Sequence, residues 1–189
     1  MDSASYNRHT RNTSELFQSP LGSSVNDLGG LTKTESVKGY HGTAYGGELN
    51  QKLRNRESLF ANDLSIIGTM DAKMQPTKSP MILDREVNDG YLKALGLDTS
   101  NISCLVGQRF RDDGYVSTTY QPNQAKHSTY SFYGGDPIFL LVNVPEGTPA
   151  MLTDNDEFEI TLGRGLTYEI VSASVDTTGV PVLGVDIIK

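Results

Sequence analysis

Two glutamates one residue apart, Glu157 and Glu159, are the side chains in this sequence that most directly suggest chemistry. They follow an acidic, turn-prone run from Thr153 to Asp156, at the start of a stretch, Phe158 to Leu162, whose composition is typical of a β-strand. Side chains alternate faces along a strand, so we expect the two carboxylates on one face, about 6.5 Å apart. Like charges at this separation favour a cationic partner or a proton-transfer role, although an acidic strand edge can also be merely solvated.

Two other features have residue types suited to binding a phosphate or a sugar. Arg85 follows the predicted strand Met81 to Leu83, and its guanidinium fork matches a phosphate. A surface ion pair with Asp84 or Glu86 is the alternative. The run Ser117-Thr118-Thr119 offers three hydroxyls that could bond a ribose or orient a glutamate, although such residues are also common in ordinary strands.

Several common site patterns are missing from the sequence. There is no Walker loop, no Gly-x-Gly-x-x-Gly motif and no Cys/His cluster with zinc spacing. The run from Asp154 resembles the start of a calcium loop, but Glu159 stands at the sixth position, where that loop requires glycine. The histidines His9, His41 and His127 have no nearby Ser-Asp pattern and are assigned to surface or helix-packing roles. No metal site is predicted.

Length and charge limit the classes of protein to consider. The chain has 189 residues, enough for one domain with a sizeable core, and a formal net charge of -7. That charge argues against a nucleic-acid-binding surface, but a local basic pocket can still hold a diphosphate. Cys104 is the single cysteine, so no internal disulfide can form. The sequence contains no apolar run near 18 residues and no secretory signal pattern.

The order of predicted elements is helices first and strands later, which indicates an α+β domain. Residues 1–30 are polar and rich in Ser, Asn and Gly, and they are predicted to be a disordered tail or linker before a single domain over residues 31–189. The apolar spacing from Val37 to Leu53 predicts a helix broken near Gly46-Gly47. A short helix is expected over Asn88 to Leu97, ended by Gly96. Six apolar runs predict strands of an antiparallel or mixed sheet: Met81 to Leu83, Tyr115 to Thr119, Ile138 to Val144, Phe158 to Leu162, Thr167 to Val175 and Val180 to Ile188.

Three motifs and an N-terminal segment, taken in order, match a known family. They are the strand ending in Arg85, the strand Gly114 to Thr119 and the Glu157-Phe158-Glu159 motif, together with the segment Tyr40 to Arg54. From about residue 34 to 188 the chain resembles the mono-ADP-ribosyltransferases of the arginine–serine–glutamate class, found among bacterial toxins, type III effectors, phage enzymes and vertebrate ectoenzymes. The resemblance implies N-terminal helices followed by a mixed, mainly antiparallel β core in two sheets.

The resemblance also implies roles for the site residues, with NAD as the substrate that donates ADP-ribose. Glu159 would stabilise the positive charge that develops on the ribose, Ser117 would hold Glu159 in position, and Arg85 would bind the diphosphate. Glu157 would engage an acceptor arginine. Thr118 and Thr119 are further candidates for binding NAD, and Phe132 or Tyr133 could stack on the nicotinamide or belong to the core.

The expected activity is therefore transfer of ADP-ribose from NAD to an arginine of a target protein, by a monomer that binds neither nucleic acid nor membrane. The resemblance implies a secreted or injected effector, or a phage enzyme, that acts in the cytoplasm of a target cell. An NAD glycohydrolase and a non-catalytic β-rich binding module are the alternatives. One departure from the family pattern is Glu86, which follows Arg85 where glycine is frequent and would weaken NAD binding unless it points away.

Overall fold

The computed structural model describes residues 28–121, 134–153 and 158–188. Most of the predicted tail and four predicted features, the loop 154–156, Phe132, Tyr133 and Glu157, lie outside these ranges. The helices are α1 (Ala44–Asn55), α2 (Ala61–Lys73), α3 (Asp89–Ala94) and a 3-10 helix (Ile102–Leu105). The strands are β1 (Lys33–Thr34), β2 (Gln75–Pro76), β3 (Met81–Asn88), β4 (Arg109–Asp112), β5 (Val116–Thr119), β6 (Pro137–Val144), β7 (Pro149–Thr153), β8 (Glu159–Leu162), β9 (Leu166–Val175) and β10 (Pro181–Ile188).

The strands pair along one continuous hydrogen-bonded path in the order β1-β7-β8-β5-β3-β6-β10-β9-β4, with β2 pairing to β7. Most pairs are antiparallel, whereas β1 with β7 and β6 with β10 are parallel. Strands lie at all six runs predicted from the sequence, and the mixed, mainly antiparallel core is confirmed. The division of this core into two sheets stays a prediction.

Buried side chains form two clusters. The larger one fills the β core and α3, and its members include Leu83, Leu92, Val142, Ile160 and Leu183. The smaller one lies between α1, α2 and the sheet, and it contains Val37, Tyr40, Leu49, Ile66, Ile67, Met70, Tyr115 and Met151. Tyr115 directly precedes β5 and Met151 belongs to β7, so the two helices cover this part of the sheet.

The predicted break at Gly46-Gly47 is wrong, because both glycines lie inside α1. Gly46 is buried against the preceding turn, and a Cβ at this position would collide with the carbonyl oxygen of Tyr40. This glycine therefore permits a close approach of helix and turn. The helix instead begins at Ala44, after the turn that contains Tyr40.

The predicted helix after β3 is confirmed as α3. Asn88 caps it, since its side-chain oxygen accepts a hydrogen bond from the backbone N–H of Tyr91 at 3.0 Å. Gly96 follows the helix with a φ of 87°, a left-handed conformation that glycine adopts without strain. Within the described ranges, none of the helices is long and apolar enough to cross a membrane.

Candidate active site

Ser117 and Glu159 lie on neighbouring antiparallel strands, β5 and β8. The register pairs Ser117 with Thr161 and Thr119 with Glu159, so these four side chains share one face of the sheet. The hydroxyl of Ser117 donates a hydrogen bond of 2.5 Å to Oε1 of Glu159. Glu159 is only 5% exposed. The two residues predicted to work together are therefore in direct contact, with the carboxylate held in a buried position.

Arg85 reaches the same residue from the neighbouring strand β3. Its guanidinium donates a hydrogen bond to the backbone carbonyl of Ser117 and lies 5.3 Å from the ring centroid of Tyr91. Its Nε is buried and has no hydrogen-bond partner in the part of the chain that the structure describes. Glu86 follows Arg85 within the same strand, so the pleat directs its side chain to the opposite side of β3. Ser117 thus links Arg85 to Glu159.

The other two hydroxyls of the β5 motif bond to the backbone of the neighbouring chain segment. Thr118 lies on the face opposite Ser117 and donates to the carbonyl of Ile160 at 2.5 Å. Thr119 lies on the Ser117 face and donates to the carbonyl of Phe158 at 3.3 Å. Both bonds hold β5 against β8, and NAD binding by these two threonines stays a prediction.

The backbone at Phe158 differs from the sequence expectation. Its φ is 53°, in the left-handed region, and β8 begins only at Glu159. The expectation that the strand pleat extends through Phe158 to Glu157 is therefore wrong, because alternation holds only for extended backbone. Phe158 is 37% exposed and packs edge-on against Tyr120. Glu157 itself lies outside the described residues.

Helix α1 positions the start of β5 through two residues that sequence reasoning left without a role. The side-chain oxygen of Asn50 accepts a hydrogen bond of 2.8 Å from the backbone N–H of Tyr115, and Arg54 donates to the Tyr115 carbonyl at 3.3 Å. The i, i+4 spacing of Asn50 and Arg54 on one helix face was the available signal. These contacts fix the backbone two residues before Ser117.

Asp112 is the acceptor that holds Arg54 and Tyr91 in place. Arg54 binds both carboxylate oxygens, at 2.7 Å and 3.0 Å, and the Tyr91 hydroxyl donates to Oδ2 at 2.6 Å. Arg54 also lies over the ring of Tyr91, on which Arg85 packs as well. Burial, together with the Asp112 charge, raises the pKa of Tyr91 above its usual value. Two guanidinium groups are thus gathered around one neutral tyrosine.

A second helix contact fixes the turn that follows β8. Asp71 on α2 accepts a 2.7 Å bond from Arg164 and a 2.5 Å bond from the Tyr115 hydroxyl. Burial acts to raise the pKa of Asp71, but the bonds from Arg164 and Tyr115 outweigh it and the pKa is lowered. Because Val116 pairs with Leu162, the start of β5 and the end of β8 lie side by side, and helix α2 is anchored to this end of the β5–β8 pair.

His41 is closer to the site than the sequence suggested. Its buried ring places Nε2 3.8 Å from Oε2 of Glu159 and 3.3 Å from the hydroxyl of Thr161. The prediction of a packing role is therefore incomplete, because the fold brings the turn before α1 onto β8. Tyr40 packs edge-on against His41, and burial raises its pKa above the usual value. No local signal connects residue 41 to residue 159.

Comparison with known proteins identifies the family. Residues 24–186 match the family model of the ADP-ribosyltransferase exoenzymes. No curated protein sequence matches the chain.

Solved structures share the fold at low sequence identity. The C3 exoenzyme of Clostridium limosum is 18% identical with a TM-score of 0.58, and the match covers 84% of this chain and 98% of that one. The C3stau2 protein of S. aureus, solved with NAD, is 18% identical with a TM-score of 0.58, covering 100% and 97%. Exoenzyme S from Pseudomonas aeruginosa, solved with human 14-3-3 protein beta and carba-NAD, is 17% identical with a TM-score of 0.54, and the match covers 76% of this chain and 67% of that one.

With most of its length matched by the family model, the chain belongs to the ADP-ribosyltransferase exoenzyme family.

Proposed function

We propose that this protein transfers ADP-ribose from NAD to an arginine side chain of a target protein and releases nicotinamide. NAD is the substrate of this family, as the NAD and carba-NAD in two of the matched structures illustrate. The observation that carries the proposal is the position of Ser117. Its carbonyl accepts a hydrogen bond from Arg85 and its hydroxyl donates one to Glu159. Ser117 thereby links a guanidinium group, through its carbonyl, to a carboxylate, through its hydroxyl.

Glu159 acts on the first half of the reaction, the loss of nicotinamide. The bond between the ribose C1′ and the pyridinium nitrogen breaks, nicotinamide leaves with the electron pair, and positive charge develops on the ribose. A fixed carboxylate stabilises such an oxocarbenium-like state. The buried position of Glu159 supports this role, because charge interactions are stronger where water is excluded.

Arg85 binds the diphosphate of NAD. A guanidinium group pairs with phosphate oxygens through two parallel hydrogen bonds. The buried Nε of Arg85, which has no partner among the residues described, supplies a donor that a phosphate oxygen would satisfy. The pleat directs the Glu86 side chain to the strand face opposite Arg85, which by the Asp84–Thr119 pairing is the face of Thr119 and Glu159.

Glu157 acts on the acceptor. The guanidinium group of arginine has a pKa above about 12 and is a poor nucleophile while charged. In this role, Glu157 orients the acceptor and takes its proton as a guanidinium nitrogen attacks C1′. The products are an ADP-ribosylated arginine, nicotinamide and one proton. The loop from Thr153 to Asp156 contacts the target protein, and Phe132 or Tyr133 stacks on the nicotinamide.

The setting implied by the family is that of an effector or toxin. We propose a monomeric enzyme that is secreted or injected and that acts on a protein in the cytoplasm of a target cell. The matched exoenzymes from Clostridium limosum and Pseudomonas aeruginosa, the second solved with a human protein, support this proposal.

Incubation of the protein with labelled NAD and a host-cell lysate tests the proposal. We expect a labelled protein band that hydroxylamine, which cleaves ADP-ribosyl-arginine, removes. Free labelled ADP-ribose without a protein band would instead support an NAD glycohydrolase. The absence of both products would support a non-catalytic module and overturn the proposal.

Three variants separate the roles of the carboxylates. Glu159→Gln is expected to abolish both protein labelling and nicotinamide release, whereas Glu157→Gln should lose labelling but retain some nicotinamide release. Glu169→Gln is a matched control, because Glu169 lies on β9 in an exposed ion pair with Arg109. Full labelling by Glu159→Gln, or equal loss of both activities in Glu157→Gln, would contradict the assignment.

A further inference from the structure

Besides the bond from Ser117, Glu159 accepts a hydrogen bond from its own strand. Thr161 lies two residues further along β8, on the same face, and its hydroxyl donates to Oε1 at 3.1 Å. Oε1 is also the oxygen that accepts the 2.5 Å bond from Ser117. Two donors from two directions restrict rotation of the carboxylate about its terminal bond.

The Thr161 hydroxyl is in turn contacted by His41, across 120 positions of sequence. The ring nitrogen Nε2 of His41 lies 3.3 Å from Oγ1 of Thr161. The other ring nitrogen, Nδ1, accepts a hydrogen bond of 2.9 Å from the backbone N–H of Val37. A nitrogen that accepts an N–H carries no proton, so the ring proton of neutral His41 lies on Nε2.

This tautomer determines the direction of the two hydrogen bonds that connect His41, Thr161 and Glu159. Nε2–H of His41 donates to Thr161, which leaves the single hydroxyl proton of Thr161 to be donated to Glu159. Protonation of Nδ1 would set two N–H groups against each other at Val37. The backbone N–H of Val37 therefore selects the tautomer that can donate to Thr161. The carboxylate of Glu159 is the final acceptor.

The turn that carries His41 is built to hold the ring in this place. The backbone N–H groups of Tyr40 and His41 both donate to the carbonyl of Val37, at 3.0 Å and 3.1 Å. Gly39 and Gly42 flank the pair with left-handed φ values of 86° and 67°. The His41 side chain is 3% exposed and packs edge-on with Tyr40 at 4.9 Å between ring centroids. The ring thus has a fixed orientation.

We propose that His41 and Thr161 are positioning residues that hold the carboxylate of Glu159 in its productive orientation during the loss of nicotinamide. This inference rests on the proposed function, because it assumes that Glu159 acts on the ribose. Neither side chain contacts NAD in this scheme. Thr161 acts on Oε1 of Glu159, and His41 acts through Thr161 with its Nε2 also 3.8 Å from Oε2. Removal of either residue therefore lowers the rate of the chemical step and leaves NAD binding nearly unchanged.

Steady-state kinetics of nicotinamide release tests the inference. Thr161→Val removes the hydroxyl at constant volume, and His41→Phe removes both ring nitrogens. We expect each variant to lower kcat by about 10-fold, the lower end of what supporting residues contribute, with less than about a 2-fold change in KM for NAD. Thr161→Ser should restore most of kcat. His41→Gln should restore part of it, because its amide can donate to Thr161.

The double variant and a control separate positioning from packing. If both residues act through one chain of hydrogen bonds, His41→Phe with Thr161→Val should lose about 10-fold and not about 100-fold. Thr148→Val is the matched control, since Thr148 is 2% exposed and its hydroxyl donates to the carbonyl of Pro145, away from Glu159. Thermal unfolding of every variant shows whether lost activity reflects lost folding.

The outcomes distinguish this inference from the proposed function. A folded wild type that releases no nicotinamide overturns both. Suppose that the wild type is active and that Glu159→Gln inactivates it. If Thr161→Val and His41→Phe then keep the wild-type kcat, this inference alone is overturned. A double variant whose losses multiply also overturns this inference alone. Nitrogen NMR gives a reading that does not depend on activity: His41 should show a protonated Nε2 and an unprotonated Nδ1, and the opposite tautomer contradicts the proposed chain of donors.

Discussion

The two ends of the proposed active site differ in how far other groups of the protein satisfy their polar atoms. At the carboxylate end, Glu159 accepts hydrogen bonds from Ser117 and Thr161, and Thr161 is supported by His41. At the guanidinium end, Arg85 donates to one carbonyl and packs on the ring of Tyr91, and its buried Nε has no partner in the described ranges.

This difference matches two different tasks. A group that stabilises developing charge must be oriented before the reaction, because reorientation would add to the barrier. A group that binds an anion gains most when binding supplies a partner it lacks, and a buried unpaired donor costs about 1–3 kcal/mol. We therefore expect the carboxylate end to control kcat and the guanidinium end to control KM for NAD.

The largest effect is expected at the carboxylate end. Ser117→Ala removes the 2.5 Å hydrogen bond to Glu159 and leaves the backbone carbonyl that accepts from Arg85. We expect kcat for nicotinamide release to fall by about 100-fold, the scale of losing one fixed hydrogen-bond donor in an active site. Ser117→Thr keeps the hydroxyl and serves as the control. A change confined to KM would break the division of tasks.

At the guanidinium end, Arg85→Lys keeps the charge but loses the planar fork. A hydrogen bond to a charged group is worth about 1.5–3 kcal/mol, so we expect KM for NAD to rise by about 30-fold with a smaller change in kcat. Isothermal titration with carba-NAD measures the binding loss directly. Unchanged affinity would show that the diphosphate lies elsewhere.

A smaller effect distinguishes the ring of Tyr91 from its hydroxyl. Tyr91→Phe removes the 2.6 Å bond to Asp112 but keeps the ring on which Arg85 packs. We expect a loss of about 1 kcal/mol in the free energy of unfolding, measured by urea denaturation, with KM for NAD unchanged. A rise in KM would mean that the Asp112 network, and not the ring, positions Arg85.

Asp63 is a comparison for Glu159, because its carboxylate also accepts several hydrogen bonds but lies on α2 and has no role in the proposed reaction. The bond from the Tyr45 hydroxyl, followed by those from the Phe60 N–H and Lys52, lowers the pKa of Asp63. A lowered carboxyl pKa stabilises the fold above the ordinary value of about 3.9, and this stability is lost as pH falls through the folded value.

Asp63→Asn should therefore flatten the fall in melting temperature below about pH 4, while nicotinamide release at neutral pH stays at the wild-type rate. Thermal unfolding scans from pH 7 to pH 3 measure the first expectation. An unchanged acid profile would contradict it, and a lost rate would extend the active site to α2.

The sequence predicted six of the ten strands in the described residues, because apolar runs bounded by turn residues are a local pattern, whereas β1, β2, β4 and β7 were not predicted. It also predicted Arg85, Ser117 and Glu159 as site residues, because their types and order match a known motif, and the fold links these three residues. The same reasoning failed at Gly46, where a close contact with Tyr40 demands glycine within a helix. It failed again at Phe158, whose left-handed backbone ends the pleat that was expected to reach Glu157.

The residues that contact the proposed catalytic groups follow from tertiary structure. Local periodicity in the sequence predicts helices and strands. It contains no information on which strand or turn lies beside another. His41 contacts Thr161 only because helix α1 and its preceding turn pack over β5 and β8. Arg54 meets Asp112 for the same reason. The sequence thus specified the residues that touch NAD in the proposed reaction, and long-range packing selected those that hold them in place.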